Sequence, residues 1–201
     1  MSQTKIPSVI NFAFKGSREY VHGTDMYMAF RDLIAVPENS VISTVSFNGF
    51  LRGDARVVEL NDSQGSKLPC VGYLKSQDGI RVLGLEQIGT VSKPNYKYPE
   101  EEIVDCGVFT ESKVTLDLKT RYDTIEEIIA LIKKWSNVYR PVEDGSWVFA
   151  RIDALNDSPP FPACRTSQLH IEFASAVGKK FTRFTVGSGE SAALVTFGVT
   201  S

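Results

Sequence analysis

The sequence has few of the residues that build metal sites and disulfide frameworks. Its 201 residues include two histidines and three cysteines, and Cys70, Cys106 and Cys164 are far apart. An odd, scattered set of thiols lacks the spacing of a zinc site or of a disulfide framework. We therefore expect reduced thiols in a cytoplasmic protein that requires no metal and no cofactor.

Long apolar runs and an excess of basic charge are also missing. Residues 1–5 are polar, without the apolar core of a signal peptide behind them. No run approaches the roughly 20 apolar residues that a membrane helix needs. The net charge of −2 and the pI near 5.8 argue against a dedicated nucleic-acid binder. We expect a soluble globular protein with neither a membrane span nor a nucleic-acid partner.

What the sequence does contain is one order of elements that occurs twice. Residues 6–89 and 108–200 both suggest a strand, a polar turn, one amphipathic helix and then four strands, with a tight turn before the last. We predict a first repeat in 1–90, a linker in 91–107 and a second repeat in 108–201. Two such copies would pack around a shared seam, where we expect a pocket.

The first copy begins with the alternating strand Val9–Phe14. Thr24 or Asp25 is expected to cap the helix that follows, and Pro37 to end it. The spacing predicts one buried helical stripe of Met26, Ala29, Phe30, Leu33 and Ile34. Later strands are predicted over 40–51, 54–60, 70–75 and 80–85, with a loop over 61–66 and a hairpin turn over 77–79.

The second copy contains the clearest helix of the chain. Asp123 is a good N-cap, and Glu126 three residues later completes a capping-box pattern, whereas Glu127 is expected to face solvent. Its predicted apolar stripe is Ile125, Ile128, Ile129, Ile132 and Trp135. Strands are predicted over 114–118, 145–155, 168–174, 181–186 and 192–199.

One helix after the first strand, followed by four antiparallel strands, resembles the hotdog fold, and two in tandem resemble a double hotdog. The resemblance implies an α+β fold of tandem hotdog-like repeats, each with a central helix wrapped by a curved antiparallel sheet. It also implies a thioesterase or a dehydratase that acts on acyl-CoA or on an acyl carrier protein thioester. The site would lie between the two hotdogs, at the N-terminus of a central helix.

Carried over by position, the resemblance makes His22 the general base. The unperturbed pKa of histidine, about 6.5, suits proton abstraction near neutral pH. Gly23 would let the backbone approach the substrate carbonyl, and the amides of Gly23 and Thr24 would stabilise an oxyanion. Glu126 or Asp123 would supply the acid partner across the seam.

The other substrate-binding candidates flank the same turn. Tyr20 and Tyr27 could line an acyl slot, and Asp25 could contact the substrate, but packing and helix-start stabilisation are ordinary alternatives for them. A turn role for His22, and a capping role for Asp123 with Glu126, also stay open.

Three other interpretations of the whole chain compete with an acyl-thioester enzyme. A non-catalytic protein could bind an acyl group or another small apolar ligand on the same duplicated fold. A duplicated sensor module would have two strands after each helix in place of four. A viral or structural β-protein is disfavoured by the two helices. A double hotdog is already a pseudo-dimer, so both a monomer and a homodimer are compatible with this pattern.

Overall fold

The computed structural model describes residues 8–35, 40–61, 67–98, 100–117 and 119–200. They fall into two compact units, Met1–Tyr98 and Pro99–Ser201. Pro37, most of the predicted loop 61–66 and the end of the predicted strand 114–118 lie outside the described residues. Each unit combines helix with antiparallel strands, which confirms the predicted mixed α and β class.

The described residues of the first unit form five strands and one helical segment. The strands are β1 (Val9–Ile10), β2 (Val41–Phe47), β3 (Asp54–Glu59), β4 (Cys70–Ser76) and β5 (Gly79–Ile88). Within this unit they pair in the order β1-β3-β5-β4-β2, and each pair is antiparallel. The first strand is shorter than predicted because the amide of Phe12 donates to Asp54 Oδ1, at 2.8 Å, instead of to a neighbouring strand.

Helix α1 (Gly23–Ala29) begins two or three residues earlier than the sequence suggests. His22 is the N-cap residue, because its carbonyl accepts the amides of Asp25 and Met26 at 3.0 and 3.3 Å. The prediction that Thr24 or Asp25 caps the helix is therefore wrong, and both residues lie in its first turn. The Thr24 hydroxyl instead contacts the side chains of Lys15 and His22.

The helix continues as a π-helical turn, Phe30–Ala35, and this changes which side chains are buried. Hydrogen bonds in a π-helix span one residue more than in an α-helix, which changes the position of Leu33 relative to the predicted stripe, whereas Ile34 stays buried. Leu33 is 42% exposed, contrary to the prediction, and Arg31 is buried in its place. The Phe30 ring lies directly on Gly72 of β4, where a Cβ atom added to the glycine would come within 2.3 Å of it.

Six strands and two helices are formed by the part of the second unit that the structure describes. These are β6 (Val108–Phe109), β7 (Lys113–Leu116), β8 (Ser146–Ala154), β9 (Leu169–Val177), β10 (Phe181–Ser188), β11 (Ser191–Thr200), α2 (Glu100–Val104) and α3 (Thr124–Tyr139). Its strands pair in the antiparallel order β8-β11-β10-β9-β7-β6. Helix α3 packs against β7, β8, β9 and β10 of this sheet.

Helix α3 matches the sequence prediction closely. The Asp123 side chain accepts the amide of Ile125 at 3.0 Å, and Glu126 accepts the amide of Asp123 at 3.1 Å, which completes the capping box. All residues of the predicted stripe are buried. Burial extends beyond the stripe, because every residue from Thr124 to Ile132 is buried. The helix is therefore enclosed on more than one face.

In the described residues of both units a strand precedes the long helical segment, but the strands that follow it pair differently. In both, four strands follow the long helical segment, which disfavours the sensor module with two. In the first unit, the first of these strands, β2, pairs with the third, β4. In the second unit, the corresponding first strand, β8, pairs with the fourth, β11. The predicted linker 91–107 divides at the unit boundary, and its acidic run forms the first turn of α2.

Candidate functional site

An anchored loop brings His22 to the start of α1. Gly16 takes a left-handed backbone conformation, with φ of +61°, and its amide donates to the carbonyl of Tyr96 at 2.8 Å. Val21 is 1% exposed, and its amide donates to the carbonyl of Leu51 at 2.7 Å. Because Val21, the residue before His22, is both buried and hydrogen-bonded, the backbone position of His22 is fixed.

His22 lies beside the first two amides of the helical segment. Its ring is partly exposed, its Nδ1 is 2.8 Å from Thr24 Oγ1, and its centroid is 6.0 Å from that of Tyr98. Asp25 is the first residue whose amide donates a hydrogen bond within the helix. The amides of Gly23 and Thr24 therefore precede the helical hydrogen bonds. The turn therefore combines an imidazole with backbone donors and the positive end of a helix dipole.

Lys15 is a fully buried cation next to this turn. Its Nζ donates to Thr24 Oγ1 at 2.6 Å and forms an ion pair with Asp25 Oδ1 at 3.2 Å. The same ammonium lies 4.6 Å from the centroid of the Tyr98 ring, and the Tyr96 hydroxyl donates to Asp25 Oδ1 at 2.9 Å. A cation near a helix N-terminus is unfavourable. The carboxylate of Asp25, in the first turn, compensates the charge of Lys15 there.

The sequence analysis missed Lys15 because it resembles an ordinary turn residue. It follows an alternating strand and precedes a glycine, which is typical of a solvated loop. Its partners Tyr96 and Tyr98 fall within the predicted linker. The contacts join residues about eighty positions apart, so no local pattern indicates them.

The two tyrosine candidates have different surroundings. The Tyr20 ring contacts the Phe50 ring at a tilt of 51°, with centroids 4.6 Å apart, and Phe50 is 43% exposed. The guanidinium of Arg52 lies 5.9 Å from the Phe50 ring. Tyr27, by contrast, is only 2% exposed. Tyr20 therefore belongs to the surface beside the turn, whereas Tyr27 is packed in the core.

Asp123 and Glu126 lie in the second unit, where the capping box engages both carboxylates. The neighbouring Glu127 was expected to face solvent, and this expectation is wrong. Glu127 is 1% exposed and pairs with Arg165, with 2.7 Å between Oε2 and Nε. Its Oε1 accepts the amide of Thr120 at 3.0 Å. Only the tertiary structure supplies the arginine that makes burial of this carboxylate possible.

An open groove of about 560 Å³ lies along the helical segment of the first unit. Asp25 lines it, together with Asp32 and Lys93. Its walls are mainly apolar and include Ile10, Phe12, Met28, Ala29, Leu33 and Pro94. The exposure of Leu33 in the π-helical turn thus has a local explanation, because its side chain forms part of this groove. The volume is within the range of small-molecule sites.

The thiols are free and unequal in exposure. Cys70 is buried, whereas Cys106 and Cys164 are exposed. Burial raises the pKa of the Cys70 thiol well above its usual range, so it is a poor nucleophile. Across the described ranges, no group of three or more His, Cys, Asp or Glu side chains is placed to hold a metal ion. In that same part of the chain, every helix is too short or too polar to traverse a lipid bilayer.

Comparisons with known proteins reveal similar structures but no sequence family. No protein-family model and no curated protein matches the chain. The chain is similar to a pyran synthase domain from module nine of the sorangicin pathway, with 12% identity, coverage of 96% of this chain and 92% of that one, and a TM-score of 0.48. It is also similar to a bifunctional dehydratase-cyclase domain in ambruticin biosynthesis, with 9% identity, coverage of 90% and 83%, and a TM-score of 0.49.

Proposed function

We propose that this protein acts on an acyl thioester in a dehydratase-like manner, on a double-hotdog-like fold, with His22 as the residue that moves the proton. The observation that supports this most directly is the position of His22 at the N-cap of α1. There, one imidazole, the amides of Gly23 and Thr24 and a helix N-terminus meet at a partly exposed turn. The seam between the repeats, where the sequence analysis expects the substrate, remains a prediction.

The chemistry follows from what each group offers. Backbone amides and the positive end of a helix dipole polarise a thioester carbonyl and stabilise the enolate that forms beside it. His22 accepts the proton from the α-carbon in dehydration and returns it in the reverse hydration. Gly23 has no side chain to obstruct the approach of the carbonyl. Tyr20, on the surface beside the turn, would line the path of the substrate, and Asp25 would act through the cluster that it forms with Lys15.

An acid partner must protonate the 3-hydroxyl group so that it leaves as water, and Asp123 and Glu126 are the candidates for this role. Both carboxylates already serve the capping box of α3. A test of a catalytic role therefore requires a substitution that removes the charge but preserves the cap. Asp123→Asn is such a substitution, because asparagine caps helices about as well as aspartate.

The decisive experiment is turnover on a panel of 3-hydroxyacyl, enoyl and saturated acyl thioesters, each offered on coenzyme A and on a carrier protein. His22→Ala is expected to lower turnover by about 10²–10⁴-fold, the usual contribution of one general acid–base residue. His170→Ala is the matched control, because His170 is the only other histidine in the sequence and is exposed on β9. Absence of turnover on the whole panel, or equal turnover by both variants, would contradict the proposal.

A non-catalytic ligand-binding function is the second candidate, and the apolar groove favours it. In that case an acyl thioester or a free acyl chain raises the melting temperature of wild type and of His22→Ala equally. Leu33→Asn, within the groove, abolishes the shift. Val138→Asn on α3, which replaces another exposed apolar helix residue, leaves it unchanged. A shift unaffected by Leu33→Asn would exclude the groove as the binding site.

A further inference from the structure

Lys15 is a charged residue without any exposed surface, and the role proposed for His22 does not yet use it. Lysine is almost never fully buried unless its charge is paired. Here the ammonium contacts a hydroxyl, a carboxylate and the face of an aromatic ring at once. The molecule thus holds a desolvated positive charge within two hydrogen bonds of the imidazole of His22.

Thr24 is the link between the two. Its Oγ1 is 2.6 Å from Lys15 Nζ and 2.8 Å from His22 Nδ1. An ammonium group has donors and no acceptor, so the shorter bond must be donated by Lys15 and must use a lone pair of Oγ1. The hydroxyl proton and one lone pair then remain for the imidazole.

The charge of Lys15 decides whether the Thr24 hydroxyl donates a hydrogen bond to the imidazole or accepts one from it. An oxygen that accepts a hydrogen bond from a cation becomes a weaker acceptor and a stronger donor, because hydrogen bonds in a chain polarise one another. The Thr24 hydroxyl therefore donates to His22 Nδ1. A neutral imidazole that accepts at Nδ1 carries its single proton on Nε2.

We propose that Lys15 is a positioning residue that, through Thr24, holds neutral His22 in the tautomer protonated at Nε2. The inference deepens the proposed function. It rests on that function only for the role of the tautomer in catalysis, and not for the tautomer itself. In this state the resting protein offers a substrate an N–H donor, which suits polarisation of a carbonyl or donation of a proton. Proton abstraction by Nε2 requires the hydrogen bond between Thr24 and His22 to reverse first.

Long-range ¹H–¹⁵N correlation spectra of the full chain, with ¹⁵N-labelled histidine, test this directly. The chemical shifts distinguish a protonated ring nitrogen from an unprotonated one, and His170→Ala assigns the two histidines. Wild-type His22 is expected to show unprotonated Nδ1 and protonated Nε2 above the pH at which the ring loses its charge. Lys15→Met should convert His22 to a mixture of tautomers or to the form protonated at Nδ1, and Lys15→Arg should retain the wild-type signature.

Circular dichroism and thermal unfolding show whether Lys15→Met folds. If it does not, substitutions of Thr24 provide the same test. Thr24→Val removes the hydroxyl and should lose the signature, whereas Thr24→Ser should keep it. A wild-type ring protonated at Nδ1 overturns the inference, and so does an unchanged signature in folded Lys15→Met or Thr24→Val. The predicted signature without turnover refutes only the proposed function, and turnover that depends on His22 with the opposite signature refutes only the inference.

Discussion

Single buried polar residues hold this fold together at places where the sequence suggests ordinary surface. Lys15, Asp54 and Glu127 are all buried, and each has a polar partner outside its own strand or helix. Burial makes such groups costly to leave unpaired, because a desolvated charge loses its water without replacement. The effect of a substitution at these positions therefore depends on the partner that remains.

The ion pair between Glu127 and Arg165 gives the largest expected loss of stability. Glu127→Ala leaves the Arg165 charge buried without its carboxylate, and should lower the free energy of unfolding by about 3–5 kcal/mol. The control is Glu59→Ala, which removes the partner of Arg81 in a pair whose side chains are 61% and 39% exposed. That variant should lose less than about 1 kcal/mol. Urea unfolding measures both, and equal losses would contradict the prediction.

Asp54 should make the first unit dependent on pH. Burial raises the pKa of Asp54, but hydrogen bonds from the Ser92 side chain and from the amides of Phe12 and Ser92, with the nearby charge of Lys93, together lower it below its usual value. A folded pKa below the unfolded value stabilises the fold above about pH 4, and this stabilisation is lost as the pH falls toward the folded pKa.

The difference in unfolding free energy between wild type and Asp54→Asn should therefore be largest near neutral pH and shrink toward about pH 3. Asp78→Asn, in the exposed β4–β5 hairpin, is the matched carboxylate-to-amide control. A difference for Asp54→Asn that is constant over this range would show that its carboxylate has the same pKa in both states.

At the level of elements, the two long helical segments begin in different ways. Helix α3 starts with a complete capping box, which satisfies two of its first amides by side chains. The N-cap residue of helix α1 is His22, whose side chain contacts Thr24 and forms no capping hydrogen bond. The first segment then changes to a π-helix at Phe30. Single π-helical turns are frequent at functional sites, in agreement with the groove beside this one.

Asp123 separates capping from catalysis. Asp123→Ala should lower the free energy of unfolding by about 0.5–2 kcal/mol, and Asp123→Asn by much less, because asparagine preserves the cap. If Asp123 is also the acid partner, Asp123→Asn should lose thioester turnover while it keeps the wild-type melting temperature. Full turnover in folded Asp123→Asn would remove Asp123 from the catalytic candidates and leave Glu126.

The contact between the π-helical turn and β4 depends on one glycine. Gly72→Ala forces the added methyl group against the Phe30 ring, and should cost about 1–3 kcal/mol of unfolding free energy. The control is Gly187→Ala in β10, where nothing lies within 4 Å of the position of the new Cβ. The two melting temperatures provide the comparison. A Gly72→Ala variant as stable as Gly187→Ala would mean that the ring does not rest on β4.

For the molecule as a whole, the three thiols report on the two units separately. Cys70 lies buried in the first unit, and the exposed Cys106 and Cys164 lie in the second. In the native protein, two thiols should react rapidly with a thiol-specific reagent, and the third only as fast as the first unit opens. Cys70→Ala should abolish the slow phase alone. Three equal rates would contradict the burial of Cys70.

Local sequence patterns predicted the elements well where one periodicity persists. The stripe and cap of α3 and most strand positions are confirmed, because alternation and helical spacing record which side chains face a core. The same reasoning failed at Leu33, because a single π-helical turn changes the phase of the helix without any local signal. It failed again at Glu127, because a carboxylate on a helix indicates solvent unless the distant Arg165 is known.

Local patterns were sufficient to predict the mixed α and β class, the long helices with the four strands after each, and the place of His22 before the first helix, but they did not predict α2 or β6. They did not predict how the strands pair, and the pairing differs between the units although four described strands follow the long helical segment in both. Nor did they predict the surroundings of His22, because Lys15, Thr24 and Asp25 meet Tyr96 and Tyr98 only after the chain folds back on itself. Periodicity reflects burial along one element, whereas these contacts depend on segments that only packing brings together.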